Sequence, residues 1–167
     1  MARAGGMVTG IDMSAAALNA AKQHASEAQI NLDYLESTAE DHAQSHPERY
    51  DIVTCLEMLE HVPDPGAIVL ACEKMLKPGG HVFFSTLNRH PKAYLLAIIG
   101  AEYILNLLPK GTHEYAKFIR PSELNGFAEN ANLILKDMRG IHYNPLTQRF
   151  SFGQNVDVNY IACYKKA

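Results

Sequence analysis

Within the run Cys55-Leu56-Glu57-Met58-Leu59-Glu60-His61-Val62-Pro63-Asp64-Pro65, two carboxylates and an imidazole fall inside five residues. Such side chains take up and release protons, so a cluster of them is equipped for acid–base chemistry. The stretch before it, Tyr50–Leu56, reads as a short buried strand, and the Pro and Gly after His61 restart the chain as a helix near Gly66. The cluster therefore hangs from the C-terminal end of a strand, where open α/β sheets bind their ligands. Spacing alone also supports a plainer reading. In it Glu57 and Glu60, at i and i+3, are exposed helix-turn carboxylates, and His61 bonds a backbone carbonyl in the loop.

A second acidic position lies near the front of the chain. Met7-Val8-Thr9-Gly10-Ile11 predicts a short strand ending at Asp12, with Ser14 as N-cap of an Ala-rich helix over about 15–28. An acid at the end of an early strand in such a sheet commonly accepts from both hydroxyls of a ribose, because one carboxylate matches a vicinal diol. The competing role for Asp12 is an ordinary helix N-terminal acid favoured by the dipole. Asp12 and the Glu57 cluster are expected to open onto one edge of the sheet. His42 and His46 are helically spaced, but on a polar segment they read as solvated.

The elements that must position these groups alternate along the chain. Strands are expected at 32–35, 50–56 and 81–87, and helices at 15–28, 39–44 and 67–76, the last closed by the turn Lys77-Pro78-Gly79-Gly80. An apolar helical segment at 93–108 follows, then a Pro-started helix from Pro121 and late strands near 133–138 and 156–164. Alternating strands and helices ending in a hairpin-like pair make a doubly wound α/β fold with an antiparallel C-terminal edge. With 167 residues, 47% hydrophobic and 20% charged, the chain suffices for one domain with a sizeable core. Its formal charge of -3 and lack of a Lys/Arg run argue against a nucleic-acid partner. Cys55, Cys72 and Cys163 are odd in number and far apart, which suggests neither a disulfide framework nor a zinc site and fits a reducing cytoplasm. The first residues, Met1-Ala2-Arg3-Ala4-Gly5-Gly6, lack the apolar core of a secretory signal.

On these residues the chain resembles the class I S-adenosylmethionine-dependent methyltransferases. Val8-Thr9-Gly10-Ile11-Asp12-Met13, the Glu57 to Pro65 run and Lys77-Pro78-Gly79-Gly80 carry that likeness. Five further runs are similar to the O-methyltransferases of ubiquinone biosynthesis: Phe83-Phe84-Ser85-Thr86-Leu87-Asn88-Arg89, Gly100-Ala101-Glu102-Tyr103-Ile104-Leu105, Pro109-Lys110-Gly111-Thr112-His113, His142-Tyr143-Asn144-Pro145 and Val156-Asp157-Val158-Asn159-Tyr160. The resemblance implies a Rossmann-like sheet in a single domain over 1–167, with 92–114 a helical insertion. The opening strand and G-x-G-x-G loop of that family have no counterpart here, so a chain truncated at its front, with impaired activity, is expected. Two central sheet edges would then lie open, and each buried unpaired backbone group costs roughly 1 to 3 kcal/mol.

The implied reaction is methyl transfer from the sulfonium of S-adenosylmethionine to a phenolic oxygen of a polyprenylated catechol or hydroquinone. A free phenol titrates near 10, so forming the nucleophilic phenolate at neutral pH takes about 4 kcal/mol of stabilisation. The resemblance assigns cofactor contacts to Asp12, Met13, Thr38 and Leu56, catalytic roles to His61 and Glu57, and a magnesium site to Glu57, Glu60 and His61. Thr38 stands where many such enzymes place an acid. Magnesium prefers oxygen ligands, so a general-base role is the alternative for His61. Implied partners are the prenylated phenol, other ubiquinone-biosynthesis enzymes and an anionic phospholipid surface. The apolar segment is shorter than the ~20 residues of a membrane span. Glu102 and Asn106 give it a polar stripe, and Arg89, Lys92, Lys110 and Lys117 flank it, as suits an interfacial helix on the inner face of the cell membrane. A helix buried over the active site is the plainer alternative. For the whole chain the alternatives are a carbon methyltransferase of the same pathway, a nicotinamide dehydrogenase and a non-catalytic lipid-binding fragment.

Overall fold

A computed structural model describes residues 1–93, 115–144 and 147–167. They form two compact units, Met1–His46 and Pro47–Ala167.

In the first unit a short turn at Ala2–Ala4 precedes β1 (Thr9–Asp12), α1 (Ala15–Glu27), β2 (Asp33–Glu36) and α2 (Ala39–Ser45). The two strands pair in parallel, Thr9 opposite Asp33 and Asp12 opposite Glu36. Helix α1 is rich in alanine, the best helix former, and starts where the Ser14 hydroxyl accepts from the Ala17 N–H at 3.2 Å. Helix α2 starts the same way at Thr38, whose hydroxyl accepts from Asp41 N–H at 3.0 Å, with Glu40 and Asp41 in the dipole-favoured first turn. Gly10 in β1 is needed for close approach, since a Cβ there would lie 2.9 Å from the Tyr34 ring.

In the second unit the order is β3 (Tyr50–Leu56), α3 (Pro65–Met75), β4 (Leu76–Leu87), a turn α4 (Pro91–Ala93), α5 (Pro121–Asn130), β5 (Leu133–Asn144), β6 (Arg149–Gly153) and β7 (Asn159–Lys166). These strands form one sheet in the order β3-β4-β7-β5-β6. Strands β3 and β4 run parallel, and the remaining pairs are antiparallel. The antiparallel end agrees with expectation, but its arrangement differs. The last strand is inserted between β4 and β5, and the edge is β6, which the sequence reading did not contain. Lys77 to Gly80, expected as a turn, belongs to β4, with Gly79 at φ 78. Strand β5 runs six residues beyond the expected end at 138. The segment expected as an apolar helix at 93–108 lies outside the described residues beyond Ala93.

Helices α3 and α5 pack on the sheet and on each other. Helix α3 begins with Asp64 accepting from Ala67 N–H at 3.1 Å and Pro65 in the first turn. On the covered face Val82, Phe84 and Thr86 of β4 and Tyr160, Ala162 and Tyr164 of β7 are fully buried. Each large apolar side chain there contributes roughly 1.5 to 3 kcal/mol. On the opposite face Ile52, Leu56, Phe83 and Ile161 are half-buried or exposed, whereas Ser85 and Leu87 are buried, Leu87 in a cluster with Ala93 and Phe118. No helix among the described residues is long and apolar enough to cross a membrane.

Candidate active site

Glu57 follows the last residue of β3 with its backbone in the left-handed region, φ 51. A non-glycine residue there costs about 1 to 2 kcal/mol, and such strain persists where surrounding bonds over-determine it. Those bonds come from β4 and β7. The Glu57 N–H donates to the Ser85 carbonyl at 3.0 Å and to Ser85 Oγ at 3.2 Å. Ser85 Oγ donates to Glu57 Oε1 at 2.6 Å, and Asn159 Nδ2 donates to Glu57 Oε2 at 3.3 Å.

Glu60 sits in a single 3-10 turn, Leu59–His61, and is only 3% exposed. Its Oε2 accepts from Thr86 Oγ1 at 2.7 Å, while Oε1 is buried without a hydrogen-bond partner among the described residues. Ser85 and Thr86 are successive residues of one strand, so their side chains leave opposite faces of the sheet. The bonded carboxylates follow them: Glu57 with Ser85 and Asn159, Glu60 with Thr86 on the covered face beside Tyr160. The magnesium site implied for Glu57, Glu60 and His61 does not fit this arrangement. One carboxylate is buried behind the sheet, the other is bridged by a hydroxyl and an amide, and among the described residues no three acidic, histidine or cysteine side chains converge. His61 is exposed, and its backbone N–H donates to the Met58 carbonyl at 2.9 Å.

Tyr160, opposite Thr86 in the sheet, donates to the Ile119 carbonyl at 3.0 Å. Burial, and then the neighbouring Tyr164, Glu123, Glu60 and Glu57, hold its phenol well above the ordinary tyrosine range.

Asp12 ends β1, exposed, with Oδ1 accepting from Ser14 N–H at 2.7 Å. Half of the carboxylate thus serves the start of α1. The other oxygen has no hydrogen bond among the described residues and faces water, as a diol-binding acid requires. Met13 beside it is exposed. Thr38 is the N-cap of α2, its hydroxyl engaged by Asp41 N–H. Leu56 is exposed at the end of β3. Asp12 belongs to the first unit and Glu57 to the second. His42, expected to be solvated, is instead buried, its ring stacked on His46 with centroids 4.2 Å apart. Helix α2 turns His42 and Ala43 inward, and an imidazole face packs there as an apolar surface.

Ser85, Thr86 and Asn159 are the participants that the sequence reading did not single out. Their signal is two hydroxyls and an amide at the C-terminal end of β4 and the paired start of β7, among otherwise apolar strand positions.

The profile of a family described as "Methyltransferase domain" matches residues 1–84. The chain is 58% identical over 161 residues to a ubiquinone biosynthesis O-methyltransferase of Serratia proteamaculans (strain 568), covering 96% of this chain and 67% of that protein. It is 55% identical over 161 residues to the like-named protein of Yersinia pestis (strain Pestoides F), covering 96% and 66%. The chain thus spans about two thirds of the length of these relatives. Among solved structures, a SAM-dependent methyltransferase from Methanosarcina mazei superposes with a TM-score of 0.70 at 19% identity, covering 99% of this chain and 84% of that one. A possible histamine N-methyltransferase from Thermotoga maritima gives 0.66 at 17%, covering 95% and 72%. The likeness to these two structures is one of fold.

Proposed function

The chain belongs to the methyltransferase-domain family, among the ubiquinone biosynthesis O-methyltransferases, and from that membership we propose that it methylates a phenolic oxygen of a prenylated catechol or hydroquinone. When bound, S-adenosylmethionine supplies the electrophilic methyl group, which leaves its sulfur as the phenolate oxygen bonds to it. The chain's own residues do the rest. In the first unit Asp12 offers its open oxygen to the ribose diol, with Met13 and Thr38 as further cofactor contacts; in the second, family resemblance gives Leu56 a cofactor contact of its own. Glu57 takes the phenolic proton. Ser85 and Asn159 hold that carboxylate at the C-terminal end of the sheet, so its orientation costs nothing when the substrate arrives. His61, exposed four residues on, is the second acid–base group. Removal of the proton is assigned to these protein groups, and no step is routed through magnesium, because the donor arrangement around Glu57 and Glu60 does not suit it.

The single observation that carries the reading is the close identity to the O-methyltransferases along nearly the whole chain. The match to one family profile runs through the boundary between the two units, which supports treating 1–167 as parts of one methyltransferase domain. Contact with an anionic membrane surface through 92–114 belongs to the same proposal and rests on the sequence of that segment. Two of its flanking cations are engaged elsewhere, Arg89 with Glu123 and Lys92 with Asp157.

Calorimetric titration of S-adenosylhomocysteine tests the cofactor half. The wild-type chain is expected to bind, and Asp12→Asn, which keeps the acceptor for Ser14 but loses the charge offered to the diol, to bind at least about tenfold more weakly. Equal binding by the two would remove Asp12 from the site, and binding by neither would sink the proposal for this chain.

A further inference from the structure

The face of the five-stranded sheet opposite α3 and α5 is covered by Ala93 and Phe118 at Leu87, and it carries an exposed apolar strip at its β6 end. In the pairing of β5 with β6, Ile141 stands opposite Phe152 and Tyr143 opposite Phe150. Directly opposed residues of an antiparallel pair point to the same side, and positions two apart along a strand share a face. All four side chains therefore lie together. Phe150 and Phe152 are 72% and 70% exposed, and the Tyr143 and Phe150 rings pack against each other with centroids 4.9 Å apart. An exposed apolar patch of this continuity marks a binding surface more often than an accident of folding.

The strip is continuous with the carboxylate of the candidate active site. Ile141 stands opposite Asn159 in the pairing of β5 with β7, and Asn159 is the residue whose amide donates to Glu57. From Asn159 to β6 the path crosses two strand spacings on one face, roughly 10 Å. Residues 138–153 contain no Asp or Glu, so no carboxylate on this stretch opposes a hydrocarbon ligand.

We infer that this strip is the subsite for the isoprenoid tail of the phenolic substrate, with the ring at Glu57 and the tail running over Asn159 and Ile141 onto Tyr143, Phe150 and Phe152. The inference rests on the proposed reading of Glu57. Its chemistry fits: an isoprenoid chain has no polar group to satisfy and needs only apolar, partly aromatic contact. The start of the strip at the Glu57–Asn159 pair is what selects the tail. A lipid surface or a second copy of the chain would have no reason to begin there.

The test is 19F NMR on the chain labelled with 4-fluorophenylalanine, whose six Phe give a simple spectrum. Phe150→Ser and Phe152→Ser assign the two signals, and both positions are exposed enough for serine to leave the core intact. The probes are catechol, farnesyl catechol, farnesol and phosphatidylglycerol vesicles. Farnesyl catechol and farnesol are expected to shift both signals, and catechol alone neither. The double variant is expected to bind farnesyl catechol at least about tenfold more weakly, from the lost apolar contact, and catechol as before. If farnesol shifts the signals but the catechol ring adds no affinity, the isoprenoid strip stands and the Glu57 reading fails. The inference is overturned if neither farnesyl probe moves the signals, if only vesicles do, or if they move with protein concentration alone, which would identify a contact between copies.

Discussion

The Ser85 hydroxyl donates to Glu57 Oε1 at 2.6 Å while the Glu57 N–H returns a bond to Ser85, tying the residue after β3 to the adjacent strand β4 at both its backbone and its side chain. A hydrogen bond to a charged group is worth about 1.5 to 3 kcal/mol, toward the lower end where the carboxylate is partly solvated. Ser85→Ala is therefore expected to cost about 1 to 1.5 kcal/mol, read as a lower urea midpoint at unchanged slope. Methyl transfer should fall further than stability does, because the freed carboxylate no longer points one way. An unaltered midpoint and rate would mean that the bond neither holds the loop nor orients Glu57.

The left-handed backbone at Glu57 gives a second expectation. Both Glu57→Ala and Glu57→Gly lose the contacts of the side chain with Ser85 and Asn159, but only glycine occupies φ 51 without a steric penalty. The glycine variant should be the more stable of the two by about 1 kcal/mol in matched urea titrations. Alanine equal to or better than glycine would show that the strain is not there.

Thr86→Val keeps the shape of a fully buried side chain and deletes the donor to Glu60 Oε2. The buried carboxylate, whose other oxygen has no partner among the described residues, would then have none from β4. The expected loss is about 2 to 3 kcal/mol, larger than for Ser85→Ala because Glu60 is shielded from water and Glu57 is not. The reverse order of the two variants would contradict the assignment of the carboxylates to opposite faces.

Tyr160 sets an alkaline limit. Tyrosines in the unfolded chain ionise near pH 10, whereas burial holds the folded Tyr160 phenol protonated above that. Above that pH the folded state binds the extra proton, so this contribution to stability is fully present below about pH 10 and declines as pH rises. Unfolding midpoints should begin to fall at about pH 9, where the raised Cys163 thiol contributes, and fall further above about pH 10 as Tyr160 and Tyr164 add to the decline. Tyr160→Phe should lose about 1 kcal/mol at neutral pH, from the missing bond to the Ile119 carbonyl, and show a shallower alkaline fall. Identical alkaline slopes for wild type and variant would remove Tyr160 from this role.

Salt bridges at the helix starts are accessible to the same experiments. Glu123 accepts from the Arg120 N–H at the first turn of α5 and also pairs with Arg89. Glu123→Gln retains the first bond in neutral form and loses the ion pair, and it should cost about 0.5 to 1 kcal/mol, most of it disappearing at high salt. A loss that persists undiminished in high salt would show that the pair is not electrostatic in origin.

Local elements were legible because their signals are local. Strand β3 occupies the expected 50–56, α1 starts at the expected Ser14 cap, and α5 starts at Pro121, since caps, proline and apolar runs act within one or two turns. Strand β6 is not legible in the sequence because its two phenylalanines face water and leave no buried stripe to read. The burial of His42 is hidden for the converse reason: the polarity of its neighbours says nothing about which side of α2 faces inward.

The sequence by itself determined the alternation of strands and helices, the family, and the acidic residues at the ends of β1 and β3, all of which follow from residue type and short spacing. Only the tertiary structure decided that the last strand inserts between β4 and β5, and that Glu57 and Glu60, three residues apart, are held on opposite faces of one sheet. Both depend on strand order and register, which bring Ser85, Thr86 and Asn159 to those carboxylates from 26 to 102 positions away. Pairings at that separation are chosen by burial of whole strand faces, and no local pattern in the chain encodes them.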